Sequence, residues 1–487
     1  MYRTIRLTVS GLILSVACHT PAAHSASPPT ASADLNPPSP LLSLKNQIDG
    51  ILEKELRPFT GAGIKIISLK SGDTLYESNA RLLQTAASNQ KLFTAAAALA
   101  LLGKNYPVTT EVSLSPGRPD LYLKGCGDSM LTSEDLKKLA DDAAPALARD
   151  KPYTLSGDLS CFDDLYWGKG WMWDDEPDAD EMYISPLSVN RNALRVRVTP
   201  GIRQGMPAVV SIDPPASQVK IDNRAVTAAQ NTRNSIAVTR HPGDRENIVL
   251  VTGATPQQSN AVEARLSVWK PEQVAVGLFH EALRARGISV TVRGNAATPD
   301  GSSVIARKTR PVSEIVRLML KKSDNLSAES LFKLMDHQVS RRPGTASGGS
   351  LAVRNHLESR NISPDRLVIA DGSGVSRYNL TNAETIVSLL QSVYHDQDLF
   401  PLFYDALPIA GRDGTLAKRM KKSPAEGNLR AKTGTMSGVS ALSGYLATAD
   451  GELLAFSMII QNFSGPHNTA TGIQDQIAEI LCRFRRK

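Results

Sequence analysis

Apolar and polar positions repeat with different periods in different parts of this chain. Residues 42–55 carry apolar side chains at helical spacing and predict an amphipathic helix. Two β-patterned runs follow, 63–69 and 74–77, around the turn Lys70-Ser71-Gly72-Asp73, which predicts a hairpin. A run of strong helix formers from Ala95 to Leu102 stops at Gly103, so one helix is predicted here with Ser88 in its first turn. The far C-terminal part supplies matching pieces: strands over 439–447 and 453–461 around Thr448-Ala449-Asp450-Gly451, then a helix over 471–483. Two strand pairs and their helices from opposite ends of the chain predict one antiparallel sheet covered by helices. Everything between them reads as inserted.

The outer part of the insertion mixes strands at 121–125 and 154–160 with a helix over 133–148. Its inner part is a series of short β-rich runs, 194–198, 208–212, 219–221, 235–239, 248–252 and 262–268, at the roughly ten-residue spacing of a small sandwich or barrel. A helix over 271–286 and a strand over 288–293 follow, and helical periodicity returns at 312–320 and 326–335. Ser323-Asp324-Asn325 interrupts that periodicity and is placed on an interhelix loop, where short polar side chains can point into a cleft. Lys432-Thr433-Gly434-Thr435 precedes the strand at 439–447; alternation turns Lys432 and Gly434 to one side, Thr433 and Thr435 to the other.

A length of 487 residues is too great for one core and suggests two or three domains. With 41% hydrophobic and 21% charged residues the composition is that of a soluble globular protein. The first residues differ. Arg3 and Arg6 precede an apolar run over 7–17, and small-residue sites follow at Ala23-His24-Ser25 and Ala31-Ser32-Ala33, so residues 1–33 are expected to be a secretory signal and the protein periplasmic. Ser15-Val16-Ala17-Cys18 loosely resembles a lipoprotein cleavage box, with Ser15 where Leu is usual. The Ala/Pro/Ser-rich stretch 21–40 reads as a processed or disordered leader. Export permits disulfides, and with Cys18 in the signal and Cys482 near the end, Cys126 and Cys161 are the candidate pair; two buried free thiols are the alternative. The formal charge of +7 and the tail Arg483-Phe484-Arg485-Arg486-Lys487 suit peripheral contact with a membrane surface or wall polymer, or simply a solvated helix end.

Residues three apart on a helix share a face, which sets the Lys91 amine beside the Ser88 hydroxyl: a nucleophile with its base. Ser-x-x-Lys occurs four times, at Ser88, Ser217, Ser267 and Ser330, so selection comes from the later Ser323-Asp324-Asn325 and Lys432-Thr433-Gly434. Lys-Thr-Gly occurs once, against a chance expectation on the order of 0.1. A helix N-cap would also explain Ser323-Asp324-Asn325, a lysine guarding an edge strand would explain Lys432, and Ser188-Val189-Asn190 shows how cheaply Ser-x-Asn arises. A lysine accepts a proton near neutrality only when its charged form is destabilised, by burial and by a second cation for which Lys432 is the candidate. Ser323 then relays the proton, Asn325 holds Lys91, and the backbone N–H groups of Ser88 and Thr435 face the oxyanion.

Ser-x-x-Lys, Ser-Asp-Asn and Lys-Thr-Gly together are the signature of class A β-lactamases and penicillin-binding proteins. From residue 42 onward the chain resembles the low-molecular-mass class C penicillin-binding proteins, serine D-alanyl-D-alanine carboxypeptidases and endopeptidases. Gly170-Trp171-Met172-Trp173-Asp174-Asp175, Asp371-Gly372-Ser373-Gly374-Val375-Ser376-Arg377, Gly411-Arg412-Asp413-Gly414-Thr415-Leu416 and Thr435-Met436-Ser437-Gly438-Val439 carry that likeness. The resemblance implies an α/β multidomain protein: a penicillin-binding/β-lactamase-like transpeptidase domain, antiparallel sheet with flanking helices, carrying two nested β-rich inserted domains. The expected bounds are 34–108 with 305–487, 109–187 with 275–304, and 188–274. It further implies that Arg377 and Thr433 or Thr435, with Gly434 and Ser437 alongside, receive substrate carboxylates, and that Asp175 binds the amino group of a diamino acid in a peptidoglycan stem peptide. Asp174 could replace Asp175 in that role. β-Lactams are the implied covalent inhibitors; no cofactor, metal or nucleic acid is expected. Val375 stands where Leu is commoner, and Gly125-Cys126-Gly127-Asp128-Ser129 departs from the usual loop at Cys126 and Ser129. A β-lactamase on the same scaffold and a catalytically inactive wall-binding protein are the competing readings. Against the first, no Glu-x-x-x-Asn segment lies between Asn325 and Lys432; against the second, every expected catalytic side chain is present.

Overall fold

The two ends of the folded chain meet in one sheet. In the computed structural model, which describes residues 39–56, 60–241 and 246–486, Gly61–Ser68 lies between Thr74–Ser78 and Leu453–Gln461, and Val439–Ala447 and Arg430–Met436 complete five antiparallel strands. The expected signal, Cys18 and nearly all of the leader lie outside the described residues. Both faces of the sheet are covered, which is why Leu453–Gln461 is buried along all its interior positions. One face packs Pro40–Glu55 and His467–Arg483 through Leu44, Ile48, Ile473 and Ile477. The other carries Ala383–Tyr394 and, beyond it, Gln90–Leu102, Val312–Lys322 and Asn325–Ser340. Gln90–Leu102 is buried on all sides from Gln90 through Leu99 and is therefore a core helix, carrying Gln90, Lys91 and Thr94 into the interior.

A second five-stranded sheet is ordered Val290–Asn295, Tyr153–Asp158, Asp120–Gly125, Pro107–Leu114, Ser303–Pro311, with helices Ser133–Ala143 and Pro271–Ala285 packed on it. Ser303–Pro311 escaped the sequence reading because Arg307, Lys308 and Arg310 hide its period; such charges suit an edge strand. It also runs across the boundary expected at 304/305. The helix predicted over 133–148 stops at Ala143 because Pro145 follows, and a 3-10 turn Ala144–Ala146 takes its place. Between the flanking pieces of this sheet the short strands of 193–267 form two three-stranded sheets and one two-stranded pair around Val196, Val198, Val249 and Val251.

Cys126 and Cys161 form a disulfide with their Cα atoms 5.4 Å apart. In the basic tail, Arg483 pairs with Glu479, and Arg486 with Glu452 and Asp73, so these two guanidinium groups brace the fold. No described helix is long and apolar enough to cross a membrane.

Candidate active site

The candidate nucleophile sits on a strained turn. Ser88 belongs to a 3-10 turn, Ala87–Asn89, immediately before the helix Gln90–Leu102 rather than within it, and Ala87 has φ +46°. Two glycines from distant segments allow this turn to be gripped. A Cβ on Gly374, whose φ is +84°, would lie 2.0 Å from the Ala87 carbonyl oxygen, and one on Gly434 would lie 2.5 Å from that of Ala86. The Asn89 side chain donates to Ser443 Oγ at 2.8 Å and ties the turn to the sheet.

One helical turn away, Lys91 is fully buried, and its Nζ contacts Ser88 Oγ (2.9 Å), Asn325 Oδ1 (2.6 Å) and the Ser373 carbonyl (2.6 Å). Two of these partners can only accept. In the neutral amine they take both N–H groups, so the lone pair is left for the one partner that can donate, the Ser88 hydroxyl. Burial lowers Lys91 to about 8, against the opposing carboxylates of Asp371, Glu329, Asp324 and Glu181. The leading cause is thus desolvation and not the charge of Lys432. Lys432 is itself pushed well below the ordinary lysine range, by burial first and then by Lys91.

Ser323 terminates Val312–Lys322 in the left-handed conformation (φ +59°), and Asp324 caps Asn325–Ser340 by accepting from Ser327 N–H at 2.7 Å. The motif thus caps a helix and also brings Ser323 and Asn325 to the two buried lysines. Asn325 presents Oδ1 to Lys91 and donates from Nδ2 to the Asp180 carbonyl at 2.7 Å. Lys432 lies inside the strand Arg430–Met436, not ahead of a strand, and this strand is at the sheet edge. Its side chain is nevertheless fully buried and donates to Ser323 Oγ at 2.9 Å and the Thr433 carbonyl at 2.7 Å, so it does not guard the edge against solvent.

Ser88, Ser323, Asn325, Thr435 and Ser437 line a cavity of about 600 Å³, with Lys91 and Lys432 buried behind them. One wall is acidic, with Asp174, Asp175, Asp180 and Glu181; Lys322 and Arg377 stand among the remaining lining residues. Arg377 donates to the Ser437 carbonyl at 3.2 Å. Asp175 caps its own 3-10 turn by accepting from Met172 N–H at 2.8 Å. Thr433 pairs with Thr415 (2.7 Å) rather than lining the cavity, which accounts for the Gly414-Thr415 motif. Trp171 donates to Asp371 at 2.9 Å, joining two further motifs.

The sequence reading missed Glu181, Glu329 and Arg191. Glu181 is raised to about 7 by burial and then by Asp178, Asp175 and Asp180; the density of acids over 174–181 was its signal. Arg191 pairs with the buried Asp324, from a corner in which Asn190, Arg191 and Asn192 all have positive φ. That corner begins within Ser188-Val189-Asn190, the second Ser-x-Asn of the chain.

Comparison with known proteins agrees over almost the whole described chain. The family described as D-Ala-D-Ala carboxypeptidase 3 (S13) matches residues 44–484. The chain is 37% identical over 466 residues to a D-alanyl-D-alanine carboxypeptidase of an Actinomadura species, a match that covers 91% of this chain and 85% of the relative. It is 27% identical over 433 residues to the D-alanyl-D-alanine carboxypeptidase DacB of Haemophilus influenzae, covering 85% and 88%. The crystal structure of penicillin binding protein 4 (dacB) from Haemophilus influenzae matches with a TM-score of 0.78 at 25% identity, over 89% of this chain and 97% of that one.

Proposed function

We propose, for a chain that belongs to the D-Ala-D-Ala carboxypeptidase 3 (S13) family and has the penicillin-binding-protein fold, that catalysis runs through an acyl-enzyme on Ser88. The observation that carries this is the Lys91 amine, buried and 2.9 Å from Ser88 Oγ with its other two contacts both acceptors. Ser88 Oγ attacks the carbonyl of the penultimate D-Ala as its proton passes to Lys91. The N–H groups of Ser88 and Thr435 hold the oxyanion. When the tetrahedral intermediate collapses, the departing amine takes a proton through Ser323, which Lys432 supports at 2.9 Å. Water then releases the acyl group by the same path in reverse.

The cavity supports a finer reading. Carboxylates suit an ammonium and a guanidinium suits a carboxylate. Acids and Arg377 around one cavity fit the zwitterionic end of a diamino acid, with Asp175 and Arg377 as its principal contacts and Thr435 and Ser437 near the carboxylate. Cleavage of D-Ala-diaminopimelate cross-links, an endopeptidase activity, follows from the same fit. β-Lactams present a strained amide to the same serine, and a solved relative is named for penicillin binding. The Cys126–Cys161 disulfide supports export to an oxidising compartment, the periplasm.

One incubation with labelled penicillin, followed by denaturing electrophoresis and a timed chase, tests the cycle. Lasting label at Ser88 is the expected result. Rapid loss would indicate a β-lactamase, and no label an inactive wall-binding protein.

A further inference from the structure

The catalytic lysine is held from behind by a peptide loop, and that loop is held by a buried acid the proposed cycle does not use. Glu329, 1% exposed, stands one helical turn beyond Asn325 on Asn325–Ser340. Its Oε1 accepts from the N–H groups of Gly372 (3.1 Å) and Ser373 (2.8 Å). The Ser373 carbonyl is the one that accepts from Lys91 at 2.6 Å, and the Gly374 N–H across the same peptide is taken by Asp371 at 2.7 Å. The helix thus reaches Lys91 twice, directly through Asn325 and indirectly through Glu329 and the loop.

We propose that Glu329 is a positioning residue for the acylation assigned above to Ser88 and Lys91, holding the Ser373 carbonyl on the Lys91 amine and setting a carboxyl group behind it. The inference rests on that acyl-enzyme reading. Asp371 also grips the loop, but it bonds Trp171, Gly374, Ser376 and Asn379 together, so its removal would loosen several segments at once. Glu329 grips the Gly372 and Ser373 N–H groups and the Ser373 side chain, all on this one loop, which makes its role separable.

The carboxyl is also placed to act by charge. Around Lys91 stand Lys432 from the edge strand, Asp371 from the loop, Asp324 from the cap of Asn325–Ser340 and Glu329 from within it, and Glu181 from the acidic wall. Around Glu329 stand Asp371 from the loop, Lys91 from Gln90–Leu102, and Lys333, one turn on, which is already paired with Asp163. A second cavity of about 910 Å³ is lined by Glu329, Lys333 and Asp371. Burial, then Asp371, raises Glu329 to about 7. Its carboxylate favours the ammonium form of Lys91. Removing that charge makes Lys91 lose its proton at lower pH.

Two variants separate geometry from charge. Glu329→Gln keeps an oxygen acceptor and loses the charge; Glu329→Leu loses both. The measurement is the second-order rate of acylation by labelled penicillin across pH for wild type and both variants, with thermal unfolding of each. In Glu329→Gln the acid limb moves down by about half a pH unit or more. In Glu329→Leu acylation slows by about tenfold to a hundredfold, the cost of a misplaced base. An unmoved limb in Glu329→Gln overturns the proposal, as does acylation of Glu329→Leu within about twofold of wild type. If Glu329→Leu fails to fold, the limb in Glu329→Gln decides alone. A purely structural role would lower the melting temperature and leave the limb in place. An unlabelled Ser88 in wild type would instead overturn the acyl-enzyme reading.

Discussion

The floor and the acidic wall of the cavity are built on opposite principles. On and just behind the floor, Lys91, Asn325 and Lys432 are buried on two helices and a strand, and their side-chain nitrogens and the Asn325 oxygen have named partners within 3 Å. On the wall, Asp174, Asp175 and Asp180 stand on irregular backbone and are exposed or half-buried. Interactions on the floor act at low dielectric and cannot be rearranged without moving the core, whereas those on the wall act beside water and tolerate substitution. On the proposed function, bond-breaking and peptide recognition occupy one cavity but answer to different constraints, so substitutions should divide by substrate.

The largest effect falls on the floor. Ser88→Ala should abolish penicillin labelling and D-alanine release while the protein stays folded, and Lys91→Ala should reduce both on the order of a thousandfold or more, because groups acting as a unit fail together. Retained covalent label in Ser88→Ala would place the nucleophile elsewhere. On the wall, Asp175→Ala should slow cleavage of peptides with a free diamino-acid terminus by roughly tenfold to a hundredfold, the loss of one charge-assisted contact. Penicillin acylation should stay within a few fold. Equal losses on both substrates would join wall to floor, and equal retention would transfer recognition to Asp174. The smallest effect tests the electrostatics of the floor itself. Acylation should rise with pH as Lys91 loses its proton near 8. Burial is the leading cause of that value, so Lys432→Ala should lower the rate yet leave the acid limb nearly in place. An upward shift of the limb would show that Lys432 carries positive charge in the resting enzyme.

The floor was the more legible of the two in the sequence. The i, i+3 relation of Ser88 and Lys91, and the order of three short motifs, express distances that helix and strand geometry enforce. Most of the sheet assembled from both chain ends was legible too, because Gly61–Ser68, Val439–Ala447 and Leu453–Gln461 are largely apolar, whereas the edge strand Arg430–Met436 has no such run. Contacts through loops were not. Arg191 reaches Asp324 across a corner of three left-handed residues, and Glu329 reaches Lys91 only through the backbone of Gly372 and Ser373. Neither relation leaves a period in the sequence. Ser303–Pro311 was lost differently: an edge strand rich in cations has no apolar alternation to read.

The sheet that joins the two ends of the chain has a consequence for folding order. Gly61 pairs in register with Gln461, and Ser68 with Leu454, so the first hairpin made during synthesis exposes an unpaired apolar edge until the last described strand appears. The contact that completes the sheet has close to the largest loop-closure entropy this chain can offer, which makes its formation slow. The intervening strands and helices have their own sheets and cores and can collapse while that edge waits. The nascent chain is therefore most prone to edge-to-edge aggregation late in synthesis, when most of its residues have already been made and the serine turn still lacks the strand that grips it.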